Sequence, residues 1–358
     1  MIPISKPWLD EEEKELVNRV IDNGSLTNAT FDGGRYVQEF ERLLAEYTNA
    51  KYVVAVNSGT SALYASLLAL GLKSNDEVII PSLTFVATAN AIVAAGAKPV
   101  FADINMDDYT IDPNDLEKKI TNNTKAIIPV HIYGHPADMS VIKEIADKYS
   151  LYIIEDACQS LGSLYKNKHT GTIGDLGCYS FYPSKVLTTG EGGAIATSNK
   201  EFADRLKMIR NHGMLEGYDT RILGLNLRMG EMNAAIGIAQ MHKLDKMLEI
   251  RRRNACILSN ILQDIKIPKE DNDRIYNWYL YTILLENRDY IQNKLNEEGI
   301  GATVYYKLPV HKTPFYASDL RLENTEYVSK HVLSLPVHPL VKEEDIEKMG
   351  KTILSLYK

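Results

Sequence analysis

The sequence predicts an α/β fold: a large domain on a mainly parallel sheet covered by helices on both faces, then a smaller C-terminal α+β domain. Three observations carry this. Between residues 52 and 155 short apolar runs alternate with amphipathic stretches of helical length, the pattern of parallel strands joined by crossover helices. After Gly193 that alternation stops, and a second unit follows with its own strand and helices. The chain has 358 residues, long for one core and suited to a large domain plus a small one.

In order, Asp10 caps a helix carrying Leu16, Val17, Val20 and Ile21, with Glu13 placed for a capping box and Asn23-Gly24 as its end. A polar loop, Ser25 to Gly34, leads to a helix from Arg35 to Tyr47 with Val37, Phe40, Leu43 and Leu44 on one face. Then come strand 52–56, helix 60–70, strand 77–80, helix 85–95 stopped by Gly96, and strand 98–101. Asp112-Pro113 reads as a cap and a first-turn proline. Strand 126–133, helix 138–149, strand 151–155, strand 176–182 and apolar run 194–197 complete the large sheet. A helix spans 201–212. A long helical run starts near Met229 and passes through Arg251-Arg-Arg253, read as a solvated basic face. The domain boundary falls within it, giving residues 1–244 and 245–358. Strand 279–285, helix 288–298 and a last helix from Glu343 form the second unit.

Hydrophobic residues make up 45% and charged residues 24%, the balance of a soluble globular protein. The net charge of −7 argues against a broad nucleic-acid surface. No apolar run reaches membrane-span length, and the N-terminus has no apolar signal core. The three cysteines have no metal-ligand spacing, so no metal is expected, and reduced thiols in a cytoplasmic protein account for them.

The chemistry centres on Ser180-Phe-Tyr-Pro-Ser-Lys185, followed by the turn Gly190 to Gly193. A lysine fixed on a loop between two buried strands is an unusual place for a surface charge. Desolvation there favours a neutral amine, which forms a Schiff base with an aldehyde. The aldehyde cofactor used in this way is pyridoxal 5′-phosphate (PLP), which also needs a phosphate cradle and an acid for its ring nitrogen. Asn57-Ser58-Gly59-Thr60-Ser61 is the candidate cradle: a strand end, a glycine turn and a helix N-terminus with hydroxyls. The same stretch also fits an ordinary hydroxyl-capped helix start. Asp156, at the end of a buried strand, is the candidate acid, and it also fits a helix cap. Gln159 follows one short turn later and fits either a contact to the ring hydroxyl or a solvated position. Phe85 lies just past a strand end, where an aromatic stacks on a cofactor ring or joins the core. His131, Cys158 and Cys178 read as core.

Taken together, Gly33-Gly-Arg-Tyr-Val-Gln-Glu-Phe-Glu41, Asn57-Ser-Gly-Thr60, Pro81-Ser-Leu-Thr-Phe85, Pro129-Val-His-Ile-Tyr-Gly134, Glu155-Asp156, Ser180-Phe181, Lys185, Gly190-Glu-Gly-Gly193, Arg210-Asn-His-Gly213, Leu223 to Met229 and Ser334-Leu-Pro336 span nearly the whole chain. In this order they resemble the DegT/DnrJ/EryC1/StrS family of sugar aminotransferases, which has the aspartate-aminotransferase fold (fold type I). The resemblance implies that Lys185 is the Schiff-base lysine and Asp156 the pyridinium partner. It also implies that Phe85 stacks on the ring and that Gln159 lies beside it. Thr60, Ser61 and Ser180 match phosphate contacts, with Gly59 shaping the turn. Asn226 matches an asparagine that reaches the phosphate of a neighbouring subunit's cofactor, so a homodimer with shared sites is implied. His311 falls where the family approaches its nucleotide-linked substrate.

The expected activity is transfer of an amino group from an amino acid, L-glutamate by resemblance, to a nucleotide-linked keto sugar for amino-sugar and surface-polysaccharide synthesis. A PLP-dependent dehydratase, an aminotransferase of a non-nucleotide cyclic ketone and a regulatory protein keeping the fold are the competing readings. Lys185 counts against the dehydratase branch, which carries histidine there. A nucleotide diphosphate needs cations, for which Arg221, Arg228, Lys307, His311 and Lys312 are the candidates. Structural ion pairs are the alternative role for the arginines.

Overall fold

The computed structural model describes residues 1–267 and 270–357. Its centre is a seven-stranded sheet in the order Tyr52–Val56, Gly193–Thr197, Leu176–Ser180, Tyr152–Asp156, Thr124–Ile127, Glu77–Pro81, Lys98–Ala102. All neighbours pair in parallel except Gly193–Thr197, which runs antiparallel to both of its partners. This is the α/β architecture expected of fold type I.

Alternation along the strands divides the apolar residues between two cores. Val53 and Ala55 face a core with Phe40, Leu44, Phe181 and Ile238, whereas Val54 and Val56 face one with Leu63, Leu67, Leu206 and Ile209. The helix Arg35–Thr48 buries Val37, Phe40 and Leu44, and Phe40 meets Phe181 edge-on at 5.2 Å. The helix Glu231–His242 packs across it at Gly237, where an added Cβ would lie 2.7 Å from the Phe40 ring. The capping box at Asp10 is formed: Glu13 Oε2 accepts the Asp10 N–H at 2.8 Å, and Gly24 ends that helix at φ 65°.

Four expectations need correction. The strand placed at 126–133 stops at Ile127. Pro129 has no N–H for a ladder, and the chain turns through a 3₁₀ segment, Ile132–Gly134, with Gly134 at φ 95°. The long helical run is two helices, Glu231–His242 and Leu244–Ile261, broken at Lys243, whose ammonium is held by Asp10 and Glu13 at 2.7 Å each. Arg251 is not on a solvated face: it is buried and donates to the carbonyls of Trp278 (3.4 Å) and Tyr279 (3.3 Å). The helix Glu323–His331, whose apolar residues are few, and the strand Val332–Leu335, an apolar run of only four residues, were not expected. That strand pairs antiparallel with Tyr281–Leu284.

The helix Leu244–Ile261 straddles two cores. Leu244 and Leu248 join the large one, whereas Ala255, Leu258 and Leu262 pack with Ile283, Leu335, Ile346 and Met349. His135 sits between the sheet and the second unit, fully buried and stacked on Tyr276 at 4.4 Å. Burial pulls its pKa down to about 3. The unfolded chain then binds a proton that the folded one refuses. This contribution to stability is complete above the ordinary value of about 6.5 and is lost as pH falls from there toward 3. Replacing His135 by Phe is expected to flatten urea-unfolding stability against pH between 6 and 4 by about 1.4 kcal/mol per pH unit. An unchanged slope would show that His135 takes up its proton in the folded state.

Candidate active site

Four strand ends converge beyond the carboxyl edge of the sheet: Val56, Pro81, Asp156 and Ser180. Ligands collect at this edge in open α/β sheets, since chain reversals there point helix N-termini and loops at one space.

The helix Gly59–Leu70 starts at this edge, with Ser58 as its cap. Ser58 Oγ accepts the Ser61 N–H (3.0 Å), and Ser58 O accepts that of Ala62 (3.0 Å). Among the described residues the N–H groups of Gly59 and Thr60 meet no acceptor, which leaves two donors at the positive end of the helix. Gly59 itself is buried against Ser180: an added Cβ would lie 2.7 Å from Ser180 Cβ and 3.0 Å from its Oγ. The Ser180 hydroxyl therefore borders the same helix end. Ser61 donates its hydroxyl to Asn57 Oδ1 (2.6 Å), which orders the turn.

Asp156 is 6% exposed. Its Oδ2 accepts the Thr88 hydroxyl at 2.8 Å and its Oδ1 the Cys158 N–H at 3.2 Å. No cation pairs with it among the described residues. A buried carboxylate with two neutral donors and no counter-charge is costly, and it suits a cationic partner supplied from outside the chain. Neighbouring Glu155 faces the other way and is structural. It accepts the N–H groups of Gly171 (2.7 Å), Ile173 (2.6 Å) and Gly174 (2.6 Å) and meets His131 Nε2 at 2.9 Å.

Lys185 is half-buried, with Nζ 4.7 Å above the centre of the Tyr279 ring. Its ammonium and the Asp156 carboxylate act on the same thiol. Burial pushes the Cys158 thiol well up, Asp156 adds to this, and Lys185 opposes it. Cys158 is therefore a poor nucleophile at the centre of the site. Gln159 is buried: its Oε1 accepts the Tyr133 N–H (2.9 Å) and its Nε2 faces the Tyr306 hydroxyl (3.4 Å). Phe85 is 54% exposed, so it is not core. Its ring lies 6.0 Å from that of Tyr306, tilted by 33°.

Four other candidates are placed differently. The Asn226 side chain is exposed, while its carbonyl accepts from Asn57 Nδ2 at 3.4 Å at the edge of the cradle. Arg228 donates to Asn211 Oδ1 (2.6 Å), and its buried Nε meets no acceptor among the described residues. Arg221 is ion-paired with Asp219. His311 requires a correction: it is 0% exposed, and both ring nitrogens are engaged, Nδ1 with Ser82 Oγ (2.6 Å) and Nε2 with Glu326 Oε1 (3.3 Å). It ties the second unit to the strand end before Phe85 and offers no free nitrogen to a substrate. Sequence reasoning missed Thr88, Tyr279 and Tyr306. Thr88 has a weak signal, one helical turn past Thr84, whereas the tyrosines arrive from the second unit with none.

These residues fit PLP. The helix end beside Ser180 would take a phosphate, Asp156 a protonated ring nitrogen, Phe85 a ring face and Lys185 an aldehyde. Among the described residues no cluster could hold a metal ion, and no helix is long and apolar enough to cross a membrane. A cavity of about 1090 Å³ lies elsewhere, lined by Asp107, Arg252, Lys266, Arg274 and Trp278 among others.

Residues 7–354 match the model of the DegT/DnrJ/EryC1/StrS aminotransferase family. The chain is 39% identical to a pleiotropic regulatory protein of Geobacillus stearothermophilus, covering 100% of this chain and 98% of the relative. It is 36% identical to a GDP-perosamine synthase of Escherichia coli O157:H7, covering 99% and 98%. The crystal structure of S. venezuelae DesV in complex with a ketimine intermediate superposes with a TM-score of 0.93 at 35% identity, covering 99% of each chain. With a family model over nearly its full length and relatives 36–39% identical over nearly all of both chains, the chain belongs to the DegT/DnrJ/EryC1/StrS aminotransferases.

Proposed function

We propose that this aminotransferase uses PLP to move an amino group from L-glutamate to a nucleotide-linked keto sugar, in the cytoplasm, for amino-sugar and surface-polysaccharide synthesis. The observation that carries the reading is the buried, cation-free Asp156 carboxylate on the same sheet edge as Lys185 and the open helix end. Bound there, PLP supplies an electron sink for the pair left behind when a proton leaves the substrate carbon. The chain's residues do the rest. Gly59 and Thr60 N–H with Ser180 hold the phosphate, and Phe85 covers the ring. Asp156 keeps the ring nitrogen protonated. Lys185 Nζ would hold the cofactor's aldehyde and, once freed, would carry the proton that leaves the substrate carbon. The regulatory name of one relative favours a second reading, a regulator that keeps the fold. A purified protein that is colourless and unchanged by glutamate would support it.

The sugar side is the part to test. Asn226 has an exposed side chain beside the cradle, and Arg228 has no carboxylate within ion-pair reach among the described residues. Both features support a homodimer in which each supplies groups to the neighbour's site. Arg228→Ala is expected to slow the sugar half-reaction roughly tenfold or more through a lost charge-assisted bond to phosphate, while sparing the glutamate half-reaction. Stopped-flow spectra of each half-reaction, with sedimentation of the wild type, check this. Equal damage to both halves would remove Arg228 from the sugar site, and an active monomer would end the shared-site reading.

A further inference from the structure

The Lys185 side chain rests against a residue 94 positions later in the chain, and how that residue is held goes beyond its being a neighbour. Tyr279 is 7% exposed, with the centre of its ring 4.7 Å from Lys185 Nζ. Its hydroxyl meets Ser184 Oγ at 3.2 Å, so the ring is tied to the residue just before the lysine. Its backbone is fixed from the other side: the N–H donates to Asn277 Oδ1 (2.8 Å) and the carbonyl accepts from buried Arg251 (3.3 Å). Asn277 in turn donates through Nδ2 to the carbonyls of Gln159 (2.9 Å) and Leu161 (3.0 Å), and its own N–H goes to Ser163 Oγ (3.0 Å). Gly134 leaves room for this bracket: an added Cβ would lie 1.9 Å from Asn277 Oδ1. The segment Asn277-Trp278-Tyr279 thus grips the loop after Asp156 with one residue and the Lys185 loop with another.

We propose that Tyr279 is a positioning residue for Lys185: its ring face holds Nζ while that nitrogen carries a proton between two carbons. The inference rests on Lys185 being the working lysine. In the transfer, the proton that leaves the donor carbon resides on Nζ as an ammonium and is then delivered to the second carbon, so the lysine neither gains nor loses a proton overall. A half-buried ammonium on a long stem has many rotamers and little water. A fixed ring face lowers the energy of one of those rotamers, the one in which the neutral amine meets the aldehyde and the ammonium later holds its proton. Because the ring is anchored through Asn277 to the stretch after Asp156, the lysine is placed relative to the acid and not only to its own loop.

Tyr279→Phe keeps the face and loses the Ser184 bond, whereas Tyr279→Leu and Tyr279→Met keep bulk and lose the face. Two readouts are taken: the rate at which cofactor-free protein captures PLP covalently, followed by absorbance, and the isotope effect with glutamate deuterated at its α-carbon. The Leu and Met variants are expected to capture PLP roughly tenfold more slowly and to show a larger isotope effect, as proton transfer becomes limiting. The Phe variant should recover most of both. Wild-type capture and isotope effect in Leu and Met would overturn the proposal, as would a Phe variant as impaired as Leu, which would assign the effect to the hydroxyl. Borohydride reduction and peptide mapping are run on all four proteins. A label away from Lys185 in wild type would fail the lysine assignment itself, separately from any rate.

Discussion

Lys185→Ala is expected to lose covalent capture of PLP altogether and to cut transamination by about 10²–10⁴-fold, the range set by removing a positioned general acid–base. The side chain lies half-buried, its ammonium over a tyrosine ring, so little packing depends on it. The variant should melt close to wild type, and non-covalent binding of PLP should survive, since phosphate, ring face and ring nitrogen keep their partners. Absorbance on mixing with PLP, borohydride labelling and single-turnover product analysis check this. A variant that still takes up borohydride label at wild-type yield would move the assignment to another lysine.

Asp156→Asn is expected to leave the fold intact and to reduce turnover more than a hundredfold, on the order of 3 kcal/mol in the barrier. The amide keeps the shape and can still accept from Thr88 or Cys158, so only the charge opposite the ring nitrogen is lost. Stability gives a second sign to read. A buried carboxylate without a counter-charge pays desolvation that a neutral amide avoids, so the cofactor-free variant should melt at or above the wild-type temperature. Near-normal turnover would show that Asp156 does not serve the ring. A sharply lowered melting temperature would show a structural carboxylate like Glu155.

Much of the frame was legible because it is written in local periodicity. The strands at 52–56, 77–81 and 98–102 and the cap at Asp10 follow from residues within one window. The positions of Ser180, Asp156 and the proposed cradle follow for the same reason, each lying at a strand end that the pattern marks, with Lys185 on the loop after one of them. What was not legible depends on partners far away in sequence. Arg251 read as solvated because nothing near it announces the carbonyls of Trp278 and Tyr279. His311 read as a substrate contact from the family resemblance alone, and its actual partners, Ser82 and Glu326, lie 229 and 15 residues away. The strand was carried too far beyond Ile127 because apolar residues continue to Tyr133, whereas past Pro129 the pairing shrinks to a single bridge between Val130 and Asp156. Tyr279 carries no motif at all, and only the fold brings its ring to the lysine.

The order of strands in the large sheet also sets a schedule for synthesis. Tyr52–Val56 is an edge strand whose ladder partner is Gly193–Thr197, about 140 residues later, and the next residue, Asn57, bonds through its N–H to the carbonyl of Leu227. A nascent chain emerging at about 5–20 residues per second therefore carries this strand unpaired for several seconds or more. The turn that cradles phosphate hangs from that strand, so it cannot be set before the lysine's loop has left the ribosome. Both ends of the cofactor site are completed by one late insertion, and a chain truncated between Lys185 and Gly193 should expose an apolar edge that invites aggregation rather than bind cofactor.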